Sequence, residues 1–369
     1  MWKGCRRSRG CPSFRFDTGA IALGTLILWF TLSVAASAQQ AAGANHLDAD
    51  LLQAAGNPQD NSAIVRQLLQ KGANIEARDS NGQTVLIRAV AKGHLSVVST
   101  LLENGADLEA KTTPGGRTAL MNATVYDRAD VVKLLLAKGA NLEAKNDDGW
   151  TALMFAASGG DVAVAKLLLE KHAQLEARDN YGVTALYRAA WDDKPEAVKL
   201  LLASGADLEA KNSEGMTPLS VAANAGHVPA VAILLAKGAN LEAKDNHGST
   251  VLFQAAWGGN TDVVKLLLAK GANFEATNNN GITPLIIASR MGYLEVMRML
   301  LAKGAKLEVK DKSGRTALTA AAEEGDGPAV KFLLARGAHI EKVTLEAAKD
   351  HPDVVAILAE AQAEKSSGQ

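Results

Sequence analysis

From about residue 47 to about residue 360, hydrophobic and polar positions alternate in one short phrase that recurs along the chain. A polar triplet ends in glycine, a threonine follows, and a brief apolar run leads through a glycine break into a second, leucine-rich run. In residues 146–178, Leu153, Ala156 and Ala157 lie at helical spacing, Gly160 interrupts, and Val162, Ala163, Leu167 and Leu168 form a second stripe. Two apolar stripes of helical period separated by a glycine predict a pair of short antiparallel helices. Asn146 and Gly149 predict a tight reversal before them, because an Asn side chain folds back on the turn and Gly accepts a positive φ. Thr151 is expected to cap the first helix through its hydroxyl.

The phrase is a true repeat. The Gly of Gly-x-Thr stands at 82, 116, 149, 182, 215, 248, 281 and 314, spaced by 34 once and then by 33. A second glycine, in Gly-Ala, stands at 72, 105, 139, 205, 238, 271, 304 and 337, with His172 in the one missing slot. His172 must therefore end its helix in a left-handed conformation at some steric cost, which predicts a looser unit there. The period and the Thr-[AVP]-Leu-x-x-Ala core resemble the ankyrin repeat. The resemblance implies an all-α repeat solenoid of helix-turn-helix units with β-hairpin-like tips, stacked into a curved, elongated array. Eight units over 79–343 begin near Asp79, Thr113, Asn146, Asp179, Asn212, Asp245, Asn278 and Asp311. Residues 47–79 are expected as an N-terminal capping repeat, 344–363 as a C-terminal capping half-repeat and 364–369 as a disordered tail. The family's TPLH histidine is missing. Its slot holds Ile87, Met121, Met154, Tyr187, Ser220, Phe253, Ile286 and Thr319, of which the five apolar residues other than Tyr187 are expected in the core.

Residues 1–38 read differently. A basic lead, an uncharged run from Ala20 to Ala35 and Ala36-Ser37-Ala38 are the three parts of a secretory signal peptide, with cleavage between Ala38 and Gln39 and a short linker over 39–46. The alternative is an uncleaved anchor, the only route by which this chain is expected to meet a membrane. The chain is expected to be an exported bacterial protein, periplasmic or secreted. Both cysteines, Cys5 and Cys11, belong to the leader, so the processed chain has no disulfide or thiolate chemistry.

Composition then narrows the function. Of the 369 residues 47% are hydrophobic but only 4% aromatic, which fits close stacking of Ala and Leu rather than a large-residue core. The formal charge of −1 removes the positive field that nucleic-acid binding requires. No nucleophile elbow, zinc-protease, phosphate-loop or dinucleotide motif is present, so no catalytic residue, cofactor or metal is assigned and the chain is expected to be a monomeric, non-enzymatic scaffold. Glutamates recur at 76, 109, 143, 176, 209, 242, 275, 308 and 341, mostly with a basic residue two positions on. These are expected to be solvated columns of opposite charge, each pair of little energetic weight.

The resemblance also implies where a protein partner would sit, namely on the tips and the exposed side of the first helix. On this sequence those slots hold Tyr126, Trp150, Phe155, Tyr181, Trp191 and Trp257, with Arg88, Arg188, Asn224, Gln254 and Arg290 as polar flanks. Trp and Tyr are the residues most enriched in binding hot spots, and an Ala/Leu core has no need of them. The expected activity is capture of a protein outside the cytoplasm. Alternatives are a secreted effector or toxin-neutralising binder and, more remotely, an enzyme or small-ligand receptor.

Overall fold

The computed structural model describes residues 46–367, so the expected signal peptide, the Ala38/Gln39 cleavage point and the linker up to residue 45 lie outside the described residues. Twenty helices follow in pairs. The N-terminal pair is α1 (His46–Gly56) and α2 (Ser62–Gln70). Then come α3 (Val85–Lys92) with α4 (Leu95–Glu103), α5 (Ala119–Val125) with α6 (Ala129–Ala137), and α7 (Ala152–Gly159) with α8 (Val162–Glu170). The middle pairs are α9 (Ala185–Trp191) with α10 (Pro195–Ala203), α11 (Pro218–Ala225) with α12 (Val228–Ala236), and α13 (Val251–Gly258) with α14 (Thr261–Ala269). The array closes with α15 (Pro284–Arg290) and α16 (Leu294–Ala302), α17 (Ala317–Glu323) and α18 (Gly327–Ala335), and α19 (Lys342–Ala347) and α20 (Pro352–Ser367).

The C-terminal end departs from expectation. It is a complete helix pair rather than a half-repeat, and α20 continues through residues 364–367 where a disordered tail was expected. Ala356, Ala359, Ala361 and Ala363 and the absence of Gly or Pro in that stretch favour the continued helix. Residues 368 and 369 are outside the described residues.

First helices stack on first helices and second on second, and at every step the first helices are in more extensive contact. The cause is the Ala pair, whose members at 156 and 157, 189 and 190, 222 and 223, and 255 and 256 are all fully buried. Small side chains let backbones approach, and the layer that approaches more closely becomes the inner side of the curve. In α8 Leu168 is buried as expected, but its buried companions are Val164 and Ala165, while Val162 and Leu167 are half-buried and Ala163 faces solvent. The apolar residues of the missing-histidine slot are all in the core: Ile87, Met121, Met154, Phe253 and Ile286 are at most 3% exposed. Tyr187 joins them, its hydroxyl accepting from Asn212 Nδ2 of the next tip at 3.1 Å, and burial pushes its phenol well above the ordinary tyrosine range.

Seven first helices are capped as expected, the threonine hydroxyl accepting from the backbone N–H three residues on (Thr84, Thr118, Thr184, Thr217, Thr250, Thr283 and Thr316). Thr151 is the exception. Its hydroxyl is buried without a partner, and the first backbone bond of α7, from Phe155 N to Thr151 O, is stretched to 3.3 Å against 3.0 Å for Arg88 N to Thr84 O. The same unit carries His172 at φ 64°, the left-handed conformation its column demands.

The glutamate column is not a solvated row of ion pairs. Each glutamate from 76 to 308 accepts a bond from a backbone N–H of the following unit, as Glu76 does from Asp107, Glu143 from Gln174, Glu176 from Asp207 and Glu308 from His339, at 2.7–3.0 Å. The first rung, where no glutamate precedes Asn74, is supplied by Asp48 of α1 at 2.7 Å. The basic column works the same way in reverse. Lys111, Lys145, Arg178 and Lys211 each donate to the main-chain carbonyl of the equivalent residue one unit on. Only Lys310 pairs with a glutamate, Glu341, at 2.9 Å. Backbone bonds between successive tips, such as Ser213 N to Tyr181 O and Asn279 N to His247 O, complete the edge without forming continuous strands.

Replacing Glu176 by Ala is expected to lower stability by about 1 kcal/mol, the worth of one charge-assisted bond at a solvated edge. Glu176→Gln, which keeps an acceptor, should cost less. Hydrogen exchange at the Asp207 amide is the specific readout, and unchanged protection there in the Ala variant would contradict the rung.

Candidate functional site

The tips and the ends of the first helices are built by one local device. The opening Asp or Asn of seven units turns its side chain back on the reversal: Asp179 Oδ1 accepts from Tyr181 N and Val183 N at 2.8 and 2.9 Å, and Asn146 Oδ1 accepts from Asp148 N and Trp150 N at 3.1 and 2.7 Å. A carboxylate, unlike an amide, has a second oxygen that also needs a donor. That donor stands nine residues on. Arg88 meets Asp79 at 2.6 Å, Arg188 meets Asp179 at 2.6 Å, and Gln254 donates to Asp245 at 2.7 Å. Where the unit opens with Asn, the ninth residue is apolar instead, Phe155, Val221 or Ile287. Asp311 is served differently, by Arg315 at 2.8 Å, and its ninth residue is Ala320.

This device reassigns part of the expected binding set. Gln254 is buried at 3% exposure, and its oxygen accepts from Asn224 Nδ2 at 3.2 Å, so neither side chain is an outward polar contact. Arg88 and Arg188 are committed to the tip carboxylates, and the Arg188 guanidinium also lies 4.1 Å over the Trp150 ring. Trp150 packs on Phe155 at 4.9 Å between centroids, and both are partly buried against the core. Trp257 is likewise half-buried, edge-on to Phe253 at 6.4 Å. Arg290 reaches Glu324 of the next unit at 3.1 Å.

Three of the expected residues are exposed: Tyr126 at 42%, Tyr181 at 61% and Trp191 at 46%. Trp191 stacks on the outer side of buried Tyr187, 6.3 Å away and nearly parallel, which presents the indole at a fixed angle. Two further exposed residues were missed, Val125 and Met291. The signal for both was available, since Val125 shares its slot with Trp191 and Met291 shares its slot with Tyr126. Between residues 79 and 335 the exposed large apolar residues are Leu95, Val125, Tyr126, Tyr181, Trp191 and Met291, and all but Leu95 lie on the tips or first-helix ends.

The turn between the two helices has its own column. His94 shares a hydrogen bond with Asn57 O at 2.7 Å, Arg128 donates to Ala91 O at 3.3 Å and Asn260 to Asn224 O at 2.6 Å. Each satisfies carbonyls left open at or just beyond the C-terminus of the preceding unit's first helix, which gives His94 a structural role. Asp161 occupies the same column, and partial burial followed by the nearby charge of Asp127 pushes its carboxyl above the ordinary range. Among the described residues no group of three His, Cys, Asp or Glu side chains is placed to hold a metal ion, and no helix is long and apolar enough to cross a membrane.

A family model described as ankyrin repeats, in three copies, matches residues 51–146, 139–212, 192–278 and 252–344. No curated protein matches the chain.

Arg188→Ala is expected to destabilise the protein by about 3 kcal/mol, because it leaves the buried Asp179 carboxylate without its charged partner. Asp179→Asn combined with Arg188→Phe reproduces the Asn146/Phe155 pairing and should recover most of that loss. A double-mutant cycle by thermal and chemical melting measures the coupling; additive losses would refute it.

Proposed function

We infer the function of this chain from its family, for it belongs to the ankyrin-repeat proteins, whose repeats generally mediate protein–protein interaction and typically act as non-enzymatic scaffolds. This chain works as such a scaffold and holds its partner on the face formed by the tips and first-helix ends. The observation that carries the reading is the concentration of exposed apolar side chains there: Val125 and Tyr126, then Tyr181 and Trp191, then Met291, at related slots of the second, fourth and seventh of the eight central units. Single exposed apolar residues are ordinary, but a row held at repeat spacing is what an extended partner needs. Trp191 is the anchor, being large, rigid and backed by Tyr187.

The reading places the scaffold outside the cytoplasm, on the strength of the basic lead, apolar run and small-residue exit of residues 1–38.

Trp191→Ala is expected to weaken partner capture by about thirtyfold, the worth of a tryptophan hot spot, while moving the melting temperature by no more than about 2 °C. Leu95→Ala, on the start of α4, serves as the matched control and should leave capture intact. Equal recovery of the same proteins by both variants would refute the face.

A further inference from the structure

The exposed apolar row has an uneven electrostatic setting. Around its centre, over the units opening at Asn146, Asp179 and Asn212, the outward tip and first-helix-end slots carry Asp147, Asp148 and Glu214 exposed and Asp192 half-exposed. The single base in those slots, Arg188, is already taken by Asp179 and by the Trp150 ring. The bases that lead into these tips, Lys145, Arg178 and Lys211, donate to main-chain carbonyls one unit on, and outside the stretch the same outward slots carry Lys92 and Arg117 before it and Lys312 after it. The acids are drawn to Trp191 by the fold itself. Asp192 follows it directly and is oriented by the Ser158 hydroxyl of the preceding unit. Glu214 lies two residues beyond Asn212, which bonds the Tyr187 hydroxyl under the indole, and its charge is felt by that phenol. Asp148 O accepts from Asn180 N beside Tyr181, so the tips bearing Asp148, Tyr181 and Glu214 are successive.

Two exposed aromatic rings bordered by carboxylates, with the tip bases turned to main-chain carbonyls and Lys194 set back on the inter-helix turn over Gly160, are complementary to one kind of ligand. A ring face attracts a guanidinium or ammonium, and surrounding acids raise its local concentration and hold it by charge-assisted bonds. We propose that the partner of this face is a basic protein segment, whose Arg or Lys side chains lie against Trp191 and Tyr181 among Asp148, Asp192 and Glu214 and whose apolar residues continue along the row. This rests on the binding face proposed above and adds its chemistry. Because the rings and acids belong to three neighbouring units, the complementary stretch is short and extended, and its binding weakens as salt rises.

The test uses the full chain and a labelled peptide of arginine, leucine and glycine, with a counterpart carrying glutamate for every arginine, followed by fluorescence anisotropy. The arginine peptide should bind and the glutamate peptide should not. Asp148→Lys with Glu214→Lys should weaken binding by about tenfold or more, as should Trp191→Ala. Glu170→Lys with Asp262→Lys, the same charge change on second helices, should weaken it far less. Equal loss in both double variants means that net charge alone attracts the peptide and overturns the proposal. Binding that is lost with Trp191→Ala but indifferent to Asp148→Lys with Glu214→Lys overturns the basic chemistry while leaving the face standing. Binding indifferent to all the variants overturns both. Circular dichroism and melting of every variant exclude unfolding as the cause.

Discussion

No unit of this protein can bury its own apolar faces, so the bond between neighbours decides everything else. The alanine pairs bring adjacent first helices together, and at that spacing a glutamate of one unit reaches an amide of the next, a lysine reaches a carbonyl and one tip reaches another. All three require the same separation, which is why the period stays at 33. The one extra residue, between Thr112 and Arg117, is absorbed in the reversal itself, where Arg117 N bonds Thr112 Oγ1 at 3.0 Å. Glu109 still reaches Asn141 at 2.8 Å. Length can vary at the tip because the rung lies elsewhere.

Much of the fold was legible in the residues. Glycines in two registers marked both turns of each unit, and the spacing of Leu and Ala marked both helices. What misled was the reading of charged and polar residues by exposure alone. A glutamate followed by a lysine two positions on looks like an ion pair, yet the nearest unsatisfied groups are main-chain, one unit away, and a sequence viewed one phrase at a time does not show them. Gln254, Arg88 and Arg188 looked like ligand contacts because they are polar on an outward slot. Their partners, nine residues earlier, were visible only when the opening Asp or Asn of each unit was compared with that slot across all units. The same comparison would have brought out Val125 and Met291. Thr151 resisted either approach, since its neighbours in the column cap normally and the one irregularity of its phrase, His172, lies at the far end of the second helix.

The inner face is accordingly divided between residues that hold the unit in shape and residues left over. Arg188 belongs to the first group although it carries charge, because its guanidinium is shared between a buried carboxylate and an indole. Trp191, three residues later on the same helix, belongs to the second. The proposed recognition uses side chains that stability does not need, and these can differ from unit to unit while the stack remains unchanged.

The pairing of the opening Asp with a donor nine residues on has a consequence for how such a chain can arise and be altered. A unit opening with Asp and carrying Val at the ninth place would bury an unmatched oxygen wherever the fourth place lacks a donor such as Arg315, and one opening with Asn and carrying Arg would strand a cation, so a crossover within those nine residues produces a defective hybrid. Tip and first helix must be inherited together. Duplication, shuffling or grafting of units in this array is tolerated when the joint falls among the second-helix leucines or the glutamate edge, and penalised when it separates a tip from the helix it opens.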